Sequence, residues 1–278
     1  MRIQQNVFYS LTLSSFMCAM ILGPGVAHAL PDCSALPSHA TVKTALEDAQ
    51  AKMNGGFGLH MWATVVDRDG EVCVVAFSSL VDRGEQWPGS RVISAQKANT
   101  ANAFSLPGLA LSTANLWAAT QNGGSLFGLQ FSNPVDTAVA YGEFPTLHGD
   151  TDGSDYGAVS DPMIGSIVGG VNVFGGGLAL YSEGGTLLGA VGVSGDSSCA
   201  DHNIAWRVRN ALGLDNVPFG VGTPGDNMIF DITGNHNNFA SNSGFGHPEC
   251  GVGGSDAADN AAVIAVCPLG DGPTAGCT

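Results

Sequence analysis

Hydrophobic positions along the chain recur with the periods of helices. Between Ser38 and Met53, apolar residues fall at i, i+3, i+4, i+7 and i+11, which predicts an amphipathic helix. Further helices are predicted at 89–104, 113–120 and 197–212, and a glycine follows the last of them, as is typical at a helix end.

Two β-rich regions surround short glycine-containing turns. The first spans 59–79 around an Asp-Gly turn and the second spans 178–194 around a Gly-Gly turn, so each predicts a β-hairpin. The second strand of the second hairpin is almost continuously apolar over 187–193, which favours burial on both faces.

The rest of the chain has weaker periodicity. Residues 131–170 are loop-like, and residues 214–278 are rich in Gly, Asn and Asp. In this last part, only 228–232 predicts a strand and only 256–266 predicts a helix. We therefore expect a core domain over 30–213 and a C-terminal extension over 214–278.

The first 29 residues have the pattern of a secretory signal peptide. Arg2 precedes an apolar run over 7–26, and the small-x-small sequence Ala27-His28-Ala29 follows it. The alternative, a transmembrane anchor, is disfavoured because the run is short and contains Ser, Thr, Gly and Pro. The expected location is periplasmic or secreted, with no membrane segment after cleavage.

Composition narrows the range of partners. The chain has 40 glycines in 278 residues, is 44% hydrophobic and only 12% charged. This apolar fraction is too high for a disordered chain. The net charge of −15 disfavours nucleic acid and anionic membranes as partners.

An even number of cysteines remains once the predicted signal peptide is removed. An even count in an exported protein favours disulfides, although six cysteines allow 15 pairings and the sequence does not choose among them. The candidates are Cys33, Cys73, Cys199, Cys250, Cys267 and Cys277.

Five short stretches have sequences that occur together, in this order, in one known family. Residues 93–104 (ISAQKANTANAF) resemble its K-A-x-T-A-x-x-F helix, and 67–70 resemble its V-V-D-x-x-G turn. Residues 123–129 (GGSLFGL), 175–180 (GGGLAL) and 188–195 (LGAVGVSG) resemble its G-G-x-L-Y-G-L, G-G-G-x-P-L and I-G-A-I-G-V-S-G stretches. The family is that of the GlcG/HbpS-like haem-binding, haem-degrading proteins.

The resemblance covers about residues 40–214, with an insertion near 141–162. It implies an α+β fold, a profilin-like or GlcG-like sandwich with an antiparallel sheet of about five strands flanked by helices. Residues 214–278 lie outside it and would add a loop-rich, disulfide-bearing extension. It further implies a small-molecule ligand, namely haem or a related tetrapyrrole to be stored or broken down, and a homo-oligomer.

The residues that we expect to contact this ligand lie on the matching helix, the first strand and the glycine-rich strand. They are Lys97, Thr100, Phe104, His60, Asn99, Gly176 and Gly177.

Lys97 and His60 each have a second interpretation. Lys97 is the only cation between Ile93 and Phe104. It is either an anchor for a propionate, carboxylate or phosphate, or a surface lysine whose stem covers the helix. His60 begins the first strand beside Trp62, and is either an axial iron ligand or a hydrogen-bonded residue at the strand end.

An acidic loop is a candidate calcium site. Asp150, Asp152 and Asp155 place oxygen donors at every second or third residue, as calcium requires. The complete EF-hand pattern is absent, so a solvated acidic loop remains the alternative.

Two other function classes stay open. Serine hydrolase, zincin, P-loop and Rossmann motifs are all absent. An enzyme acting on a small organic acid, with Lys97 as its anion anchor, remains an alternative, as does a non-catalytic assembly module.

His202 lies in the first turn of the helix predicted at 197–212. We expect it to have a solvated or capping role there.

Overall fold

The helices and strands of the core follow the predicted order. The computed structural model describes residues 29–142, 153–234, 238–252, 254–270 and 272–277. Apart from Ala29, the predicted signal peptide lies outside the described residues and stays a prediction. Among the described residues, no helix combines the length and the apolarity needed to cross a bilayer.

The element bounds agree closely with the periodicity of the sequence. The described helices are α1 (His39–Gln50), α2 (Ser90–Phe104), α3 (Trp117–Thr120), α4 (Leu129–Ser132), α5 (Thr137–Tyr141), α6 (Ser198–Ala211) and α7 (Asp256–Val266). The described strands are β1 (Trp62–Asp67), β2 (Val72–Phe77), β3 (Gly177–Tyr181), β4 (Leu187–Ser194), β5 (Ile232–Thr233) and β6 (Ala240–Ser241). The predicted helix at 113–120 begins as a 3-10 turn over Thr113–Leu116.

The main sheet has four described strands in the order β2-β1-β4-β3, and every neighbouring pair is antiparallel. The expected count of about five strands was therefore too high. The candidate tail strand at 228–232 contributes only its last residue to β5, which pairs with β6 in a separate two-stranded sheet.

Polar groups from elsewhere in the fold occupy the outer edge of β3. The N–H of Gly177 donates to Oγ1 of Thr113 at 2.9 Å, and Arg209 donates to the carbonyl oxygen of Ala179 at 3.2 Å. The N–H of Tyr181 donates to the carbonyl oxygen of Leu214 at 2.9 Å. These bonds satisfy the backbone groups that a fifth strand would otherwise pair with.

Helices cover both faces of the sheet. On one face, Trp62, Val66 and Ala190 lie in the same apolar cluster as the alanines of α2. On the other, Val65 and Val191 lie in the cluster that α1 and α6 supply. Because strand side chains alternate between faces, this arrangement explains the continuous apolar run of β4 and confirms its burial on both sides.

Helix α2 lies unusually close to β4, and a glycine makes this approach feasible. A Cβ atom on Gly192 would lie 2.0 Å from the carbonyl oxygen of Ser94 and 2.5 Å from the backbone nitrogen of Ala98. Real Cβ atoms do not approach backbone atoms so closely, so any side chain at this position must push α2 away from the sheet.

We therefore expect Gly192→Ala to lower the free energy of unfolding by about 1–3 kcal/mol, the usual cost of overpacking a core. Gly184→Ala is the matched control, because its Cβ would meet no atom closer than Oγ of Ser182, at 4.0 Å. Urea unfolding of both variants measures the difference. A Gly192→Ala protein as stable as the control would contradict the close packing.

All six candidate cysteines form disulfides, as the even count predicted. The pairs are Cys33–Cys73, Cys199–Cys250 and Cys267–Cys277. The first joins the segment before α1 to β2, the second joins α6 to the extension, and the third lies within the extension. The extension also packs on α6, where Trp206 donates through Nε1 to the carbonyl oxygen of Cys267 at 2.9 Å.

Candidate functional site

A buried ion pair joins α2 to α6 at the end of β4. Nζ of Lys97 donates hydrogen bonds to Oδ2 of Asp201 at 2.6 Å and to the carbonyl oxygen of Val193 at 3.0 Å. Lys97 is 1% exposed and Asp201 is 2% exposed. The surface-lysine interpretation is therefore wrong, and the anion that Lys97 binds here is a carboxylate of the chain itself.

Burial works against both charges of this pair. Desolvation is the main influence on each partner, and it lowers the pKa of Lys97 and raises the pKa of Asp201 to about 6. Each charge opposes the shift of the other, and two backbone N–H groups, of Gly195 and Asp196, also donate to Oδ1 of Asp201. Each charge of the pair thus stabilises the other in a buried site, where an unpaired charge would be costly.

The glycine-rich strand packs directly against this pair. A Cβ on Gly176 would lie 2.3 Å from the carbonyl oxygen of Val193 and 3.2 Å from Nζ of Lys97. A Cβ on Gly177 would lie 2.5 Å from the carbonyl oxygen of Lys97. The structure thus brings three of the predicted ligand residues together, and their contacts are with one another and with the sheet.

The remaining predicted residues of α2 contact the loop that precedes β3. Asn99 donates through Nδ2 to the carbonyl oxygen of Gly170 at 2.7 Å, and Oγ1 of Thr100 accepts from the N–H of Asn172 at 3.0 Å. Phe104 packs in a small apolar cluster at the end of the helix. Their ligand roles stay predictions.

His60 lies two residues before β1, where a hydrogen bond holds its ring. Nδ1 lies 3.0 Å from Oγ of Ser78, and Nε2 lies 3.9 Å from Oε2 of Glu85. This agrees with a hydrogen-bonded residue at the strand end, and the axial-ligand interpretation stays a prediction.

Two other histidines are buried. His202 is fully buried in α6 with its ring centroid 6.0 Å from that of Trp206, so the expected solvated or capping role is wrong. Desolvation lowers the pKa of His202 to about 3. Desolvation likewise lowers the pKa of His247, in the extension, to about 4. The 3.6-residue period placed α6 correctly, but this helix is buried nearly all round by the sheet and the extension.

A cleft of about 730 Å³ opens beside the N-terminal end of α2. We call it the α2 cleft. The segment before α2, the start of α2, the end of α5 and the loop after residue 152 provide its described lining. These residues are Trp62, Asp82, Arg83, Gly84, Pro88, Gly89, Arg91, Val92, Ala140, Tyr141, Ser154 and Tyr156. None of the seven sequence-predicted ligand residues belongs to this described lining.

Arginine and aromatic side chains define the chemistry of the α2 cleft. The guanidinium carbon of Arg91 lies 3.9 Å from the ring centroid of Tyr156, and that of Arg83 lies 5.7 Å from the same centroid. Arg91 also forms a bidentate ion pair with Asp161, in which Nε of Arg91 donates to Oδ2 of Asp161 at 2.8 Å. A flat, anionic ligand suits such a site, because arginine binds anions and stacks on planar rings.

The α2 cleft has one local signal in the sequence, although no predicted ligand residue lies in its described lining. Arg83 and Arg91 lie within nine residues of each other in a chain that is poor in cations, with Trp87 between them. Tyr156 lies more than 60 positions after both arginines, so only the fold brings it next to them.

The calcium prediction falls mostly outside the described residues. Asp150 and Asp152 lie outside the described residues. Asp155 is described, and it accepts a hydrogen bond from Oγ of Ser160 at 2.7 Å. The described residues offer no support for a calcium ion at this loop.

The family model described as haem degrading protein HbpS-like matches residues 38–209. No curated protein matches the chain.

Several solved structures are similar to part of the chain. Klebsiella pneumoniae protein ORFY is 23% identical over 63% of this chain and 90% of that chain, with a TM-score of 0.40. A structure described as a PduOC:heme complex is 21% identical over 63% and 91%, also with a TM-score of 0.40. HbpS is 18% identical over 68% and 95%, with the same TM-score.

The fold defines an α+β domain in which helices cover both faces of an antiparallel sheet. Since the family model matches well over half of its length, the chain belongs to the HbpS-like family of haem-degrading proteins.

Proposed function

We propose that this protein is an exported binding protein for haem or a related tetrapyrrole, and that the α2 cleft is the binding site. The observation that carries the proposal is a cleft of about 730 Å³ lined by Trp62, Tyr156 and two arginines, in a chain of the HbpS-like family. The volume is in the range of small-molecule sites. Three disulfides and the predicted signal peptide support export.

The donor set of the cleft fits haem. Haem supplies a redox-active iron when bound, and protein ligands to this iron include tyrosine oxygen. Among the described lining residues, Tyr141 and Tyr156 offer that donor. Arg83 would face a propionate at the rim, whereas Arg91, buried and paired with Asp161, would hold the ring of Tyr156 in position.

Hemin titration of residues 30–278 tests the proposal. We expect a saturable shift of the Soret band with one hemin per chain. Arg83→Ala is expected to raise Kd by about tenfold or more, because a charge-assisted hydrogen bond contributes about 1.5–3 kcal/mol. Tyr141→Phe and Tyr156→Phe keep the rings, so a changed Soret position in either identifies the ligating oxygen.

Phe131→Ala is the matched control, since Phe131 is a highly exposed aromatic residue of α4 outside the described lining of the cleft. It should bind hemin like the wild type. Absence of a saturable shift in the wild type would refute haem binding. If Arg83→Ala bound hemin with the Kd of the wild type and His60→Ala did not bind it, the binding site would lie at His60 and not in the α2 cleft.

A further inference from the structure

A serine and a histidine from distant parts of the chain meet at the start of α6. Ser198 is the first residue of this helix, and its Oγ lies 2.8 Å from Nε2 of His247 in the extension. The N–H of Gly175 donates to the same hydroxyl oxygen at 2.6 Å. On the other side of the imidazole, Nδ1 lies 2.7 Å from the carbonyl oxygen of Pro248.

These partners determine where the protons lie. A carbonyl oxygen only accepts hydrogen bonds, so Nδ1 of His247 carries the proton and Nε2 has a free lone pair in the neutral ring. Oγ of Ser198 already accepts from Gly175, and its own proton is therefore donated to Nε2. Burial lowers the pKa of His247 to about 4, so the ring is neutral at pH 7 and Nε2 accepts the hydrogen bond from Ser198. This is the arrangement that activates a serine nucleophile.

The surroundings leave the serine accessible and the histidine protected. Ser198 is partly exposed, while His247 is 2% exposed. Among the described residues, nothing accepts a hydrogen bond from the backbone N–H of Ser198, so a donor is available beside the hydroxyl for a developing oxyanion. The next residue, Cys199, is bonded to Cys250, and this disulfide holds the loop that carries His247.

Apolar groups border the pair and indicate the class of substrate. The ring centroid of Trp117 lies 6.0 Å from that of His247, and Phe174, which precedes Gly175, is 49% exposed. No cation or carboxylate takes part in the hydrogen bonds of Ser198 and His247 among the described residues. An uncharged ester with an apolar acyl or aryl group suits this environment.

We propose that Ser198 is a nucleophile for acyl transfer from carboxylic esters and that His247 is its general base. Oγ of Ser198 attacks the ester carbonyl carbon, and its proton passes to Nε2 of His247. The bond between the acyl carbon and the alcohol oxygen breaks, and the alcohol leaves with that proton. Water, deprotonated by His247, then hydrolyses the acyl-serine. This activity lies outside the described α2 cleft and is independent of haem.

The test is covalent labelling of the folded chain, residues 30–278, with an alkyl fluorophosphonate, followed by intact mass and peptide mapping. We expect a single adduct on Ser198 with loss of fluoride, and none in Ser198→Ala. His247→Gln should slow labelling by about 100-fold or more, because general base catalysis contributes about 10²–10⁴. The same variants should lose hydrolysis of p-nitrophenyl butyrate.

Ser132→Ala is the control, since Ser132 is an exposed serine of α4 whose hydroxyl donates to the carbonyl oxygen of Leu129, far along the chain from Ser198 and His247. It should be labelled at the wild-type rate. The proposal is overturned if folded wild-type protein leaves Ser198 unmodified, or if His247→Gln is labelled as fast as the wild type. Heat-unfolded wild-type protein provides a measurement that needs no variant, because equal labelling of Ser198 in native and unfolded chains would also overturn it.

Discussion

Replacing Lys97 with methionine is expected to lower the free energy of unfolding by about 3–5 kcal/mol, since removing one partner of a buried ion pair leaves the other charge unpaired in the core. Asp201 would keep its two backbone donors but lose the only cation that contacts it among the described residues. Methionine has a similar length and fills the space of the lysine stem, so the loss reports mainly on charge.

Urea unfolding of three variants separates this effect from packing. Lys52→Met is the control, because Lys52 is exposed at the end of α1, and its cost should stay within about 0.5 kcal/mol. The double variant Lys97→Met with Asp201→Asn removes both charges and should be more stable than Lys97→Met alone. Relative to the wild type, part of the loss in Lys97→Met should be recovered as the pH falls from 7.5 towards 6, because Asp201 without Lys97 binds its proton at a higher pH than in the wild type, where its pKa is about 6. Equal stability of Lys97→Met and Lys52→Met would contradict a buried pair.

Acid is expected to destabilise this protein steeply below pH 6.5, because two buried histidines stay neutral in the folded chain. Their folded pKa values are lowered, to about 3 for His202 and about 4 for His247, while an unfolded histidine titrates at 6.5. Between these values the unfolded chain binds protons that the folded chain does not, so falling pH favours unfolding. Each histidine contributes about 1.4 kcal/mol per pH unit in this window.

Protonation of Asp201 has the opposite effect on the free energy of unfolding, which it raises as the pH falls. Its folded pKa is raised to about 6, so the folded chain takes up this proton before the unfolded chain does, and acid offsets part of the loss.

The measurement is the free energy of unfolding in urea from pH 7 to pH 4.5, for the wild type and for His202→Gln. Below pH 6 the variant should show a shallower slope, by about 1.4 kcal/mol per pH unit. His202→Gln is expected to be less stable than the wild type at pH 7. The quantity to compare is therefore the slope of the free energy of unfolding against pH, and not its absolute value. An unchanged slope would mean that His202 takes up its proton without unfolding.

Local sequence determined most of the fold. Apolar spacing predicted α1, α2 and α6, and the two Asp-Gly and Gly-Gly turns predicted both hairpins, since these signals depend only on near neighbours. The even cysteine count predicted disulfides. Their pairing needed the structure, because Cys199 and Cys250 are separated by 51 residues.

The sites were harder to predict, since each combines residues from separate elements. The sequence singled out Lys97 as an isolated cation, but its partner Asp201 lies 104 positions further on and becomes its neighbour only through the sheet. His202 lies in an amphipathic helix pattern that implied solvent, whereas the extension covers that side of α6. Ser198 and His247 belong to regions with no shared motif, and only the fold brings them to 2.8 Å.

The capped outer side of β3 restricts how copies of this protein can associate. Backbone groups of Gly177, Ala179 and Tyr181 are already hydrogen-bonded to Thr113, Arg209 and Leu214, respectively. These groups are therefore not available to pair with an incoming strand. Arg209 is itself anchored by Asp226, at 2.8 Å, so this cap does not swing aside easily. Strand addition, the route by which exposed sheets recruit peptides or grow into fibrils, is therefore closed at this edge, and an added strand would have to pair with a different edge.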